Sequence, residues 1–434
     1  MVFSRIFGKS QEPPAPTADE VPAEEESDAD VPSDDAFPDY ATRAARVIVG
    51  GSSTGSKRPD RLYGADAPWG PTHFARAAGC HLVTPDGDTL VDCTMALGAV
   101  ALGYAEPDLS RAVIETIANG SVAGLAPTLE VEVAERFCGV VPCAERVLFM
   151  KGGADAVSAA VRIARTYTGR DVVIGCGYLG WHDWCSDAGG VPEAARALFR
   201  GVPFDDVPAL DAAVAAVGDR LAAIVIEPVI ERLPSKEWVL RARALCDQRG
   251  AVLVFDEMKT GFRIATAGYQ QYAEITPDLA TFGKALANGF PLAAVCGRAD
   301  LMEVAAHRTW ISTTLGAEAG ALAAAGAVLA WHDRVDVCAS LWSIGKEMRE
   351  SVAAALDASG LEGVEVAGLD PMWLLRFSDA AQENAFLVTA AESGVLFKRG
   401  AYNFAALAHD EEALRAIEGA ASEAFVRVRD GARE

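Results

Sequence analysis

Four apolar runs limit the fold more than any other feature of this chain: Arg146–Met150, Asp171–Cys176, Ala222–Glu227 and Ala251–Asp256. Each is rich in branched aliphatic residues and is bounded by Gly, Pro or charged residues. This is the pattern of parallel strands buried on both faces. Helical periodicity lies between them. Asp155–Tyr167 places Val157, Ala160, Ala164 and Tyr167 at three- and four-residue spacings, which predicts one apolar stripe. Leu240–Gln248 behaves similarly and runs into Gly250, a helix-stop signal. Strand-helix-strand alternation over this length predicts an α/β fold with a doubly wound, mostly parallel sheet. After about residue 330 the pattern predicts two more helices and a short-stranded region, a smaller α+β domain.

Charge and composition narrow the functions. Lys plus Arg number 38 against 61 Asp plus Glu, a net charge of -23. A phosphate backbone needs clustered cations, so no nucleic-acid partner is expected, and an anionic membrane surface would repel the chain. The stretch from residue 10 to about 40 carries six prolines and the run Glu24-Glu25-Glu26. It cannot bury enough apolar surface to offset its chain entropy and reads as a disordered, solvated tail. Gly50-Gly51-Ser52-Ser53-Thr54-Gly55-Ser56 follows as a flexible joint. Nine scattered cysteines without a C-x-x-C pair read as reduced core thiols, and six dispersed histidines argue against a metal site. With neither a signal peptide nor a membrane span evident, the expected compartment is the cytoplasm.

Ligands of open α/β sheets bind beyond the carboxyl ends of the strands, and four stretches fall there. Phe149-Met-Lys-Gly-Gly-Ala-Asp-Ala156 leads a strand through two glycines into a helix, where backbone amides can meet a phosphate. A plain tight turn would look the same. Val252-Leu-Val-Phe-Asp-Glu257 ends a strand in paired carboxylates, either a site acid or a helix-capping Asp beside an exposed Glu. In Thr281-Phe-Gly-Lys-Ala-Leu-Ala-Asn-Gly-Phe-Pro291 a lysine sits among small and apolar residues. There its proton affinity can fall as Schiff-base chemistry requires, unless it is only a surface charge. Cys176-Gly-Tyr-Leu-Gly-Trp-His-Asp-Trp184 offers aromatic rings that can stack on a planar ligand or pack in the core. Taken together they suit one ligand with a phosphate, a planar ring, a ring nitrogen and an aldehyde: pyridoxal 5'-phosphate.

The chain resembles the class III, fold-type I aminotransferases, most closely the branch of glutamate-1-semialdehyde 2,1-aminomutases. The residues that carry the likeness are Phe255-Asp-Glu-Met-Lys-Thr-Gly-Phe-Arg263, Phe282-Gly-Lys-Ala-Leu-Ala-Asn-Gly-Phe-Pro-Leu292, Gly177-Tyr-Leu-Gly-Trp181 and Ile311-Ser-Thr-Thr-Leu-Gly-Ala-Glu318. The resemblance spans roughly residues 58–425. Composition assigns 1–56 to a disordered acidic segment and linker; the folded remainder divides into the N-terminal part of a small domain over 57–105, a large cofactor-binding domain over 106–330 and a C-terminal small α+β domain over 331–434. The resemblance implies that Lys284 forms the Schiff base and shuttles the proton, and that Asp256 pairs with the pyridine nitrogen. Gly152, Gly153 and Ala154 would present amides to the phosphate. Tyr178 would stack on the ring, with Glu227 near its hydroxyl side. Thr313, or the adjacent Thr314, would reach the phosphate held by the other subunit of a homodimer with shared active sites.

Two departures from the family pattern stand out. Ala154 replaces a hydroxyl residue of the phosphate loop, and Leu179 replaces a histidine that commonly follows the stacking tyrosine. The resemblance leads to a PLP-dependent aminotransferase acting on a small-molecule amine donor and a carbonyl acceptor. An intramolecular aminomutase is the alternative, and a non-catalytic scaffold relative the third reading. Arg263 reads as a structural ion pair, and Lys398 with Arg399 as a charged rim.

Overall fold

The computed structural model describes residues 39–65 and 70–431. The acidic, proline-rich stretch up to Pro38 therefore lies outside the described residues. The expected disordered segment and linker do reach into them, and there the chain has structure. Tyr40–Val47 is helical because the Asp39 carboxylate caps it, accepting the Thr42 N–H at 2.8 Å, and short 3-10 turns follow at Val49–Gly51 and Gly55–Lys57.

Strands β1 (Arg76–Ala78), β2 (His81–Val83) and β3 (Thr89–Asp92) form an antiparallel sheet. The large sheet follows with β4 (Arg146–Met150), β5 (Val172–Cys176), β6 (Phe199–Gly201), β7 (Leu221–Ile226), β8 (Val252–Asp256), β9 (Leu279–Phe282) and β10 (Ala293–Gly297). Its order is β4-β10-β9-β8-β7-β5-β6. Only β10 runs against its neighbours, β4 and β9, so β4 to β9 all point their carboxyl ends the same way.

Side chains alternate across a strand, and here the two faces feed two separate cores. Val173, Val225 and Val254 pack with Val157, Ala160 and Ala164 of α1 (Gly153–Thr168) on one side. Ile224, Ile226, Leu253 and Phe255 pack with Trp238, Ala242 and Cys246 of α2 (Lys236–Arg249) on the other. Burial on both faces explains why these strands are apolar at every position. Gly250 ends α2 in the left-handed conformation, at φ 59°. The stripe on α1 is shorter than expected: Tyr167 is exposed, and its hydroxyl donates to Asp300 Oδ2 at 2.9 Å.

Beyond the large sheet come α3 (Ala319–Arg334) and three further helices where the periodicity predicts two: α4 (Val337–Ser359), α5 (Ala380–Glu392) and α6 (Glu411–Gly431). The short strands are β11 (Val364–Leu369), β12 (Met372–Phe377), β13 (Val395–Leu396) and β14 (Asn403–Phe404). β13 pairs in parallel with β3, so the two ends of the chain share a sheet. No described helix is long and apolar enough to cross a membrane.

Candidate active site

Five strands of the large sheet deliver residues to its carboxyl edge. Asp256 closes β8, and its Oδ1 accepts the Met258 N–H and the Thr281 hydroxyl, each at 3.1 Å. Burial pushes its pKa up to about 6, and the nearby Lys284 charge opposes that rise. Lys284 stands just past β9. A Cβ on Gly283 before it would lie 2.7 Å from Met258 Sδ, so that thioether would have to shift to admit a side chain. Lys284 itself takes the left-handed region, at φ 49°. A bulky residue rarely adopts that conformation without a functional reason. Burial and the Arg263 cation lower its proton affinity, while Asp256 partly restores it.

Glu227 follows β7 and Tyr178 lies two residues past β5. The Tyr178 N–H donates to Glu227 Oε2 at 3.0 Å. Gly177, at φ 99°, makes this approach possible, since a Cβ would sit 2.5 Å from that of Glu227. The Tyr178 ring is 71% exposed, a face free to stack. Glu227 Oε1 forms an ion pair with Lys259, whose ammonium lies 4.5 Å from the centre of the Tyr402 ring.

After β4 the chain turns through Gly152 and Gly153 into α1. The Gly152 N–H donates to Asp155 Oδ2 at 3.1 Å, a capping contact, so it faces that carboxylate. The amides of Gly153 and Ala154 lie in the first turn of α1, where N–H groups have no acceptor within the helix. Ala154 adds no side-chain donor. Leu179 is buried in the core beside α1, and Gly180 comes so close to Ala154 that a Cβ would fall 2.8 Å from the alanine methyl. His182 meets α1 instead, with Nδ1 2.7 Å from Ser158 Oγ and Nε2 3.7 Å from Asp155. Thr313 and Thr314 are exposed in the loop before α3. With residues 121–127 they line a surface cleft of about 320 Å³ beside Phe149 and Met150.

Three sequence expectations are corrected. Arg263 forms no ion pair among the described residues: its guanidinium is fully buried and donates to backbone carbonyls, at 2.9 Å to both Ala405 and Gly98, with its centre 4.7 Å from the middle of the Phe404 ring. Glu257 is not exposed. It lies in the core, accepting from Thr260 Oγ1 and from the Tyr269 and Gln270 amides at 2.7 and 2.9 Å, and burial pushes its pKa up to about 7. Lys398 is no rim charge; it is buried, with Nζ 3.5 and 3.4 Å from the carbonyls of Ser56 and Arg61. The sequence does not single out Lys259. Its only signal in the sequence is its place three residues after Asp256.

The family model for class-III aminotransferases matches residues 65–177 and 205–408. The chain belongs to this family. It is 31% identical to a glutamate-1-semialdehyde 2,1-aminomutase of Laribacter hongkongensis (strain HLHK9), over 89% of this chain and 98% of that protein. It is 30% identical to a 3-aminobutyryl-CoA aminotransferase of Cloacimonas acidaminovorans (strain Evry), over 73% and 78%. Among solved structures, the FumI protein of Sphingopyxis sp. MTA144 in a PLP-bound form superposes with a TM-score of 0.84 at 28% identity. That likeness covers 91% of this chain and 96% of that one. The fold is thus that of the fold-type I PLP transaminases, and the chain is a PLP-dependent enzyme acting on small-molecule amine and carbonyl substrates.

The residues present fit that cofactor. A buried carboxylate stands beside a partly buried lysine, the first-turn amides of α1 lie past the end of β4 at the same edge of the sheet, and glycines at 153 and 283 approach the Met258 thioether so closely that it would have to shift to admit a side chain. Bound there, pyridoxal phosphate supplies a conjugated ring that accepts the electron pair of a cleaved substrate bond.

Proposed function

We propose that the chain is an aminotransferase, moving an amino group from a donor amine to a separate carbonyl acceptor. The observation that carries the cofactor chemistry behind this reading is the Lys284–Asp256 pair: a partly buried lysine whose proton affinity is lowered, next to a buried carboxylate on the adjacent strand. In this reading Lys284 carries the cofactor and then holds the proton moved between substrate carbon and cofactor carbon. Asp256 faces the ring nitrogen and keeps it protonated. Tyr178 covers one ring face, Glu227 lies toward the ring hydroxyl, and the amides of Gly153 and Ala154, with Gly152 as the turn residue, bind the phosphate.

Two separate substrates require that the first product leave. A mutase must retain it, and a mobile cover is the usual device. The stretch after β5 that borders the site is instead pinned: the Trp184 Nε1–H donates to Ser158 Oγ at 2.9 Å, and the Trp184 ring packs edge-on against Phe199. This supports transfer between molecules. The near full-length likeness to an aminomutase favours the second reading, intramolecular transfer.

A homodimer completes the proposal. Val122, Leu125, Trp310 and Leu315 are large, exposed apolar residues around the cleft that holds Thr313 and Thr314. A second copy seated there would cover them and bring one threonine to its neighbour's phosphate. In this scheme 106–330 form the large domain, and 57–105 with 331–434 form the small one. Nine unpaired cysteines support a reducing, cytoplasmic setting.

The test is the absorption spectrum of the cofactor-loaded protein before and after L-glutamate or another donor amine, without acceptor. Conversion to the aminated cofactor, with one keto product released per site, is expected. A donor panel that leaves the spectrum unchanged, while 4-amino-5-oxopentanoate is isomerised, would replace this reading with the mutase.

A further inference from the structure

The active site carries a second, partly buried lysine that no role above uses. Lys259 lies three residues beyond Asp256, and Lys284 two residues beyond Phe282. Because β8 and β9 are adjacent, with Asp256 paired to Thr281, both amines emerge at the same edge of the sheet. The Lys259 side chain is only 17% exposed and the Glu227 side chain 5%. Its ammonium is held from two sides: Glu227 pairs with it from the end of β7, and the Tyr402 ring, from the segment before β14, lies beneath it. Both holders are themselves fixed. Glu227 accepts the Tyr178 amide, and the Tyr402 hydroxyl accepts the Glu231 N–H at 2.7 Å.

This fixation has an electrostatic consequence. Like charges in a poorly solvated space repel, and the Lys284 charge joins burial in lowering the Lys259 pKa to about 7. Glu227, in direct contact, favours the charged form of Lys259. The charged groups that face Lys284 are otherwise Asp256, which favours its protonated form, and Arg263, which opposes it. Lys259 is thus an additional cation beside Lys284, and it also contacts the carboxylate that fixes the Tyr178 backbone.

Resting on the proposed role of Lys284, we infer that Lys259 is an electrostatic positioning residue whose fixed ammonium makes the cofactor bound to Lys284 give up its proton more readily. The sign follows from repulsion: a neighbouring cation disfavours a protonated nitrogen, so removing it raises the pH at which the bound cofactor deprotonates. A purely structural lysine that only pins Tyr402 would change stability and leave that titration in place.

The experiment is a pH titration of the visible absorption of the cofactor-loaded protein, for wild type, K259Q and K259R. K259Q is expected to move the midpoint up by about one unit, a tenfold tighter hold on the proton, while K259R keeps it near wild type. A K259Q midpoint within about 0.3 unit of wild type, or a K259R midpoint displaced as far as that of K259Q, overturns the inference. Should K259Q fail to fold, K259M, uncharged and of similar length, takes its place under the same criteria. A wild-type protein that binds cofactor without any visible titrating band, or a K284A variant that keeps that band, overturns the role of Lys284 itself and the inference with it.

Discussion

Replacing Arg263 by methionine should loosen the seam where the chain's two ends cross the large sheet. The guanidinium bridges three backbone segments: Gly98 and Val100 at 2.9 and 3.4 Å, Pro371 at 3.5 Å and Ala405 at 2.9 Å. Methionine fills much of the volume and leaves the two closely bonded carbonyls unpaired, at about 1–3 kcal/mol each, or about 2–6 kcal/mol together. Against that, the variant no longer buries a charge, whose cost shows in an Arg263 pKa pushed down to about 10. That relief places the net loss near the lower end, about 2–3 kcal/mol. The effect should be local, which makes hydrogen exchange the right assay. The Phe404 N–H bonds to the Cys93 carbonyl at 2.7 Å and the Leu407 N–H to that of Ala101 at 2.8 Å, so both amides report on the seam. They should exchange about 30- to 150-fold faster in R263M, at about 1.4 kcal/mol per tenfold. R263K, with fewer donors, should fall between. Exchange accelerated by less than about threefold would refute the account of Arg263 as the tie between these segments.

Two further outcomes follow from buried polar groups. Asn288 clamps the segment after Gly98: its Oδ1 accepts the Ala101 and Leu102 amides at 2.9 Å, and its Nδ2 donates to the Gly103 carbonyl at 2.9 Å. N288A orphans all three and strains a residue at φ 46°, so it should cost about 3 kcal/mol or more, read as a Tm lower by roughly 4 °C or more. Glu257 provides a pH test. Its folded pKa of about 7 lies above the ordinary 4.5, so between those values the folded state binds more protons than the unfolded one, and stability falls as pH rises. Urea unfolding at pH 4.5 and 7.5 should show the cofactor-free wild type losing up to about 3 kcal/mol relative to E257Q across that window. Parallel pH profiles for the two proteins would count against the buried, hydrogen-bonded Glu257.

What could be read in the sequence, and what could not, divides along a physical line. β5, β7 and β8 were legible because a strand buried on both faces must be apolar throughout, and that demand is met by residue type alone. Asp256 and Lys284 were legible for a related reason, since a charge at the end of such a strand has to be accounted for by a site or by a cap. β10 was not, because Ala293–Gly297 is short and small-chained, and nothing in it signals that it inserts antiparallel between β4 and β9. The misread residues share a cause. Arg263 and Lys398 are solvated by backbone carbonyls and Glu257 in part by backbone amides, groups that every residue carries and no motif marks. Lys259 extends the point to side chains: its partners, Glu227 and Tyr402, lie 32 positions before it and 143 after it, and only the sheet edge brings them together. A charged residue's role in this fold therefore depends on which distant groups replace its water, and K259Q and R263M test that dependence in a side-chain pair and in a backbone cage.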